Sequence, residues 1–223
     1  MRYNYDMKRE QKKALLTYTK SDAIALALNI CLVIFEVVGL ALRIHDNAGV
    51  FGVEYYTQDS NLLLLLICAV TAFFIVRKMV NGKEIPRVVS IIKLSAVVAL
   101  LITFLIVAIV LAPIYGLPYG FKLLLFTRAM FFTHLTCPLL ALLSFLVFEK
   151  HEYEKKDLLW AQVYTLLYAI VLIILNLVHV VDGPYPFLQV CSRPVWQTIL
   201  WSIGILGGAY GITWLLCKIR RRK

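Results

Sequence analysis

Six long apolar runs, at residues 23–42, 61–76, 88–114, 123–148, 158–181 and 195–217, dominate the chain. A helix needs about 20 apolar residues to cross the hydrocarbon core of a bilayer, so the runs predict six membrane-spanning helices. The second run is the shortest, and its helix is expected to begin earlier, near Tyr55. Mostly short loops join the runs and leave little for a soluble domain. The expected fold is an all-α polytopic membrane protein: one domain over residues 1–223, with a basic N-terminal segment over 1–20 and a basic tail over 218–223. The first run is too long and too interrupted by polar residues for a cleaved signal peptide, and is expected to stay as an anchor.

A second pattern lies inside the runs. Asp22, Asn29, Glu36 and Arg43 recur every seven residues, nearly two helical turns, and so form one stripe. The second span carries Thr57, Ser60, Asn61, Cys68 and Thr71 at steps of three and four. The fourth carries Thr127, His134, Cys137 and Ser144 on one face, with Arg128 beside it. The fifth carries Thr165, Asn176 and His179, with Asp182 one turn further on. Glu36, Arg43, His45, Thr57, Asp59, Ser60, Asn61, Arg128, His134, Asn176, His179, Asp182, Arg193 and Gln197 map toward one end of the spans, and the other half reads as almost all Leu, Ile, Val and Phe. Polar groups in a bilayer face the bundle interior and often mark a site, so the pattern predicts one buried polar site in one leaflet. Pairing of these groups as structural glue is the plainer reading.

Composition agrees with the class. Hydrophobic residues make up 61% and the mean hydropathy is +0.80, above the roughly 45–50% apolar content of soluble domains. The charges set the sidedness. Of 23 Lys and Arg, 18 lie before the first span, between the second and third, between the fourth and fifth, or after the sixth. The positive-inside rule makes that side cytoplasmic. Both termini are then inside, and the polar site lies in the outer half. The net charge of +10 is accounted for by topology and anionic lipid. No nucleic-acid partner is expected, because the basic tail abuts a span. Four of the five cysteines fall inside spans, and no CxxC or Cys/His metal spacing occurs.

Thr57 and His134 carry the sharpest chemical reading. Both are expected one to two turns into helices that run from outside to inside, at similar depth. A hydroxyl becomes a nucleophile when a base takes its proton, and an imidazole is the usual base. Pro138 lacks the N–H that would bond the carbonyl of His134, and its ring tends to kink the helix there. A kinked helix with a histidine bonded across the bundle would show the same residues. His134, His179 and Asp182 are an alternative set of metal ligands, since His179 and Asp182 are three apart. Glu36 and Arg128 read as a buried ion pair, or Arg128 as the partner of an anionic head group. The stiff loop over residues 182–188 could cap the site or only connect helices. Gly204, Gly207, Gly208 and Gly211 give overlapping GxxxG spacings that permit close helix contact.

Three segments resemble a known family. Tyr55-Tyr56-Thr57-Gln58-Asp59-Ser60-Asn61-Leu62-Leu63 resembles the Y-[FL]-T-x-x-S-N-L-L segment of a six-span bacterial membrane family. His134-Leu135-Thr136-Cys137-Pro138-Leu139-Leu140 is similar to its H-x-x-x-P-L-L segment, and Tyr185-Pro186-Phe187-Leu188 to its Y-P-F-L loop. That family looks related to the androgen-induced membrane proteins of animals, atypical threonine hydrolases that cleave fatty acid esters of hydroxy fatty acids. The resemblance implies Thr57 as nucleophile and His134 as the essential histidine. With it, the chain is expected to be an intramembrane hydrolase of a bacterial plasma membrane that takes lipid esters from the bilayer and needs no cofactor. Ser60 and Asn61 are the candidate oxyanion donors and Arg128 the candidate for a substrate carboxylate, with Glu36, Asn176, His179, Asp182 and Tyr185 in support. The rival expectations are a non-enzymatic lipid-binding or transport protein and a metal-dependent hydrolase.

Overall fold

The computed structural model describes residues 19–46, 55–149, 151–183, 185 and 188–220. The basic segment before residue 19, residues 47–54, Lys150, residues 184, 186 and 187, and the tail beyond 220 lie outside the described residues. All the regular structure described is helical: α1 Lys20–His45, α2 Tyr56–Asn81, α3 Arg87–Ile114, a short α4 Tyr119–Leu125, α5 Arg128–Phe148, α6 Lys155–Leu177 and α7 Val195–Arg220. All but α4 are long and apolar enough to cross a membrane. The chain is a multi-pass membrane protein of six spanning helices.

Local chemistry sets the helix ends. Thr19 and Asp22 form a reciprocal capping box that starts α1, with the Thr19 amide 2.9 Å from Asp22 Oδ2. As predicted, α2 begins just after Tyr55. It ends at Gly82, whose φ of +67° is the left-handed conformation that glycine adopts freely. Glu154 and Asp157 form a second capping box before α6.

The run over 123–148 is not one helix. α4 closes at Phe126, Thr127 is extended, and Arg128 turns the chain into α5 with a φ of +33°. Composition hid this break because Leu123–Phe126 is as apolar as a span. α6 also stops at Leu177, short of residue 181. The Asn176 side chain donates to the Val181 carbonyl at 2.8 Å, an alternative to the helical ladder, and His179 takes a φ of +56°.

α3 and α5 share one device. Each widens into a π turn, Val107–Leu111 and Phe131–Thr136, and in each a proline (Pro113, Pro138) follows two residues later. Proline cannot donate to the carbonyl four residues back and collides with it. The wider winding relieves that collision while the helix continues.

α3 is the central helix. Every residue from 93 to 103 is buried, and α2, α5, α6 and α7 all pack on it. The end of the bundle that holds the basic loops, here the basic end, is tied by charges. Arg87 reaches the buried Asp157 at 2.8 Å and Glu154 at 2.5 Å, and Lys78 reaches Glu84 at 2.9 Å. Arg220 of α7 donates to the carbonyls of Glu149 and His151. α7 is otherwise lightly packed. The close contact expected at Gly204, Gly207, Gly208 and Gly211 is not made, since a Cβ at any of them would meet nothing within 4 Å.

Candidate functional site

At the end opposite the basic loops, α2 begins against α3, α5, α6 and the outer loop, and Thr57 stands in its first turn. Two cavities share Thr57 as a wall. One is an apolar cleft of about 60 Å³ between α3, α6 and α7, lined by Ile102, Ile106, Val107, Leu111, Ile205 and Leu206 among others. The other is a cavity of about 170 Å³ between α1 and α2; its surface is mostly apolar, and Glu36, Arg43, Gln58, Asp59 and Asn61 are among the residues that line it.

Tyr185 hydrogen-bonds the Thr57 side chain. Its side chain is 8% exposed. Its phenol oxygen bonds the Thr57 side chain and the backbone amides of Thr57 and Tyr56. Those amides belong to the first turn of α2, where no helical carbonyl is available to them. Burial raises the Tyr185 phenol above the ordinary tyrosine range, so it stays protonated and neutral. The start of α2 therefore holds an oxygen on two backbone amides, directly beside a hydroxyl.

His134 lies in the π turn of α5 and is 7% exposed. Its Nδ1 is 2.8 Å from the Leu124 carbonyl. A carbonyl only accepts, so Nδ1 carries the hydrogen and Nε2 the lone pair of the neutral ring. Among the described residues His134 makes no hydrogen bond to Thr57. Asn61 links their neighbourhoods, since its Nδ2 donates to the Thr57 carbonyl at 2.6 Å and the Thr133 carbonyl at 3.3 Å.

Several expected roles change. Ser60 donates to the Thr57 carbonyl at 3.1 Å and lies 3.3 Å from Thr103 Oγ1. Asn61 has both amide hydrogens on carbonyls. Neither keeps a hydrogen for an oxyanion, and the two amides that hold Tyr185 are the better donors. The Glu36–Arg128 pair is not formed. Arg128 is exposed and sits 2.9 Å from Asp46, because the turn at residue 128 aims it away from the bundle. Glu36 is 3% exposed, hydrogen-bonds the Cys137 thiol, and leaves Oε1 without a partner. Asn176 ties the outer loop to α6, accepting from the Cys191 amide at 3.2 Å. His179 and Asp182 are exposed. They do not converge with His134: among the described residues no three His, Cys, Asp or Glu are placed to hold a metal ion.

The expectation of a single polar leaflet also fails. At the basic end, Lys93 of α3 is 1% exposed, and its Nζ donates to Asn29 Oδ1 at 2.7 Å and to Cys68 Sγ at 2.8 Å. It closes the inner end of a cavity of about 240 Å³ that Asp22, Lys78, Glu84, Glu149 and His151 also line. The signal available in the sequence was the stripe through Asp22 and Asn29 combined with Cys68 and a lone lysine inside the third run.

No protein-family model, curated protein or solved structure matches this chain.

Proposed function

We propose that the protein hydrolyses lipid esters inside the membrane, with Thr57 as nucleophile and His134 as base. The observation behind this reading is the position of Thr57 at the amide-rich start of α2, in the wall between an apolar cleft and a second cavity that Glu36, Arg43 and Asp59 help to line. An ester of a long chain has the matching division: an apolar chain, a reactive carbonyl and a polar remainder. The likeness of the segments around Thr57, His134 and Tyr185 to those of the threonine lipid hydrolases points the same way.

In the mechanism, the ester carbonyl takes the place of the Tyr185 oxygen on the amides of Tyr56 and Thr57. The proton of the Thr57 hydroxyl passes to Nε2 of His134; this transfer requires the two to come within direct or one-water reach when the ester binds, the range over which general bases act. Thr57 Oγ1 then bonds the carbonyl carbon, and the two amides hold the negative charge on its oxygen. Collapse expels the alcohol, which takes the proton from His134, and leaves an acyl-threonine. Water, deprotonated by the same imidazole, releases the acid and restores Thr57. The basic end faces the cytoplasm and the site faces outward, as the positive-inside rule requires.

The test is fluorophosphonate labelling of purified protein with mapping of the labelled residue, alongside Thr57→Ala and His134→Ala assayed on a long-chain ester. Labelling at Thr57 and loss of hydrolysis in both variants is the expected result. Near-native hydrolysis in both would end the proposal. A second reading, carriage of a lipid or solute, is favoured by cavities at both ends of the bundle that charged side chains help to line. Transport that survives Thr57→Ala would select it.

A further inference from the structure

α2 begins without a local cap. Tyr55 stands at its N-cap position and makes no side-chain capping bond, where Ser, Thr, Asp or Asn would ordinarily cover a free amide. The Gln58 and Asp59 amides reach the Tyr55 carbonyl at 2.9 and 3.3 Å. The Tyr56 and Thr57 amides are the pair left over, and both are covered by the phenol oxygen of Tyr185, a side chain brought in from the outer loop. The same oxygen bonds the Thr57 hydroxyl. Two amide hydrogens fill the acceptor positions of the phenol, so its own hydrogen points at Thr57 Oγ1. Tyr185 therefore does two things at once. It fills the amide pair, and it puts a hydrogen on the oxygen that an attack on a carbonyl would use.

The surroundings of Tyr185 set it there. Its ring stands edge-on to Tyr55, with centroids 6.3 Å apart and planes at 90°. Its carbonyl accepts from the Leu188 amide at 2.9 Å. Gly183 packs so closely on the Leu188 carbonyl that a Cβ would come within 2.5 Å of its oxygen. Neutral hydrogen bonds hold the phenol on α2, and such bonds exchange for others of the same kind at little net cost. Tyr185 and Thr57 both line the apolar cleft, so a neutral acceptor that arrives on an apolar chain competes for the same two amides. We infer that Tyr185 is an internal plug: in the resting protein its phenol holds the place of an acyl carbonyl, and the site opens when a lipid carbonyl displaces it. The effect on turnover rests on the proposed hydrolysis, and the plug itself does not. The sign of that effect is unusual. Removing a buried hydroxyl that touches a nucleophile ordinarily lowers activity, whereas removing a plug raises it.

An acceptor that cannot be cleaved separates the plug from the chemistry. The full-length protein in detergent micelles is titrated with hexadecyl methyl sulfone, whose oxygens only accept. Hexadecyl methyl sulfide, with the same chain and a weak acceptor, is the control. Tyr185→Phe keeps the ring and removes the phenol oxygen. It should bind the sulfone about tenfold tighter than the native chain does, because the ligand no longer has to break two neutral hydrogen bonds. Both proteins should bind the sulfide equally. On the native chain, saturating sulfone should open the buried Tyr185 to nitration by tetranitromethane, mapped by mass spectrometry. Sulfone binding that is absent, equal or weaker in Tyr185→Phe would overturn the inference. If that variant does not fold, unchanged nitration of Tyr185 on the native chain overturns it. Hydrolysis of a long-chain ester is then compared, and Tyr185→Phe should raise kcat/KM about tenfold through a lower KM. A fall in kcat at constant KM would make Tyr185 a group the reaction needs and end the plug. Tighter sulfone binding with no ester hydrolysis by either protein keeps the plug and retires the hydrolase.

Discussion

Replacing Asn29 by Leu should destabilise the protein strongly, and replacing Lys93 by Met should not. Among the described residues Lys93 Nζ donates hydrogen bonds to Asn29 Oδ1 at 2.7 Å and Cys68 Sγ at 2.8 Å, and the residue is 1% exposed. A hydrogen bond to a charged group is worth about 1.5–3 kcal/mol, and stripping a partner from a buried charge costs about 3–5 kcal/mol. The thiol remains in Asn29→Leu but is a weak acceptor, which puts the expected cost at about 2–4 kcal/mol by the same figures. Lys93→Met keeps the chain's length and removes the charge. Such replacements of buried charges are often neutral or stabilising, and Asn29 is among the residues that line the basic-end cavity. The double variant should therefore recover most of the loss, with a coupling of about 2–3 kcal/mol, well beyond the roughly 0.5 kcal/mol scatter of independent sites. Unfolding of the four proteins in mixed detergent–dodecyl sulfate micelles gives the cycle. Additive single losses, or an Asn29→Leu cost below about 1 kcal/mol, would refute the view that Lys93 is a buried charge held by these two partners.

Thr57→Val and His134→Ala should each remove hydrolysis, and the pair together should be no worse than either alone, because nucleophile and base act as a unit; Thr57→Ser should keep measurable turnover. Cys191 is exposed on the far side from the basic loops. An impermeant maleimide should label it in intact cells, whereas Asn81→Cys in a Cys191→Ala background should label only after permeabilisation; labelling of residue 81 in intact cells would reverse the topology. Stability should fall with acid in two steps. Burial holds the His151 imidazole below its ordinary 6.5, so the unfolded chain takes that proton first and stability declines as pH drops through about 6.5. Hydrogen bonds from Arg87 and Lys156 hold the Glu154 carboxyl at about 2 against an ordinary 4.5, so its contribution is complete above about 4.5 and is lost as pH falls toward 2. Thermal unfolding in detergent from pH 8 to 3 should lose the first step in His151→Phe and the second in Glu154→Gln.

The chain's own pattern of apolar runs was enough for the architecture. Burying about 20 apolar residues at a time permits little besides spanning helices, and the start of α2 near Tyr55 was readable from its polar first turn. The nearness of Thr57 to Tyr185 followed only in outline, because a sequence gives the depth of a residue along its helix and leaves its rotation about the axis open. That rotation, set by packing, decided the rest. It aimed Arg128 at Asp46 and left Glu36 with Cys137. It also turned the hydrogens of Ser60 and Asn61 onto carbonyls. Lys93 shows the limit most clearly. A lysine less than two turns inside a span can reach the interface with its long stem, so its presence in the third run says little. Only the packing of α1 and α2 beside α3 puts an amide oxygen and a sulfur within reach of Nζ and makes it a buried group. The break at Phe126–Thr127 escaped for a related reason. Hydrophobicity records what a segment can bury, whereas the positive φ of Arg128 and the π turns before Pro113 and Pro138 come from how the backbone fits its neighbours.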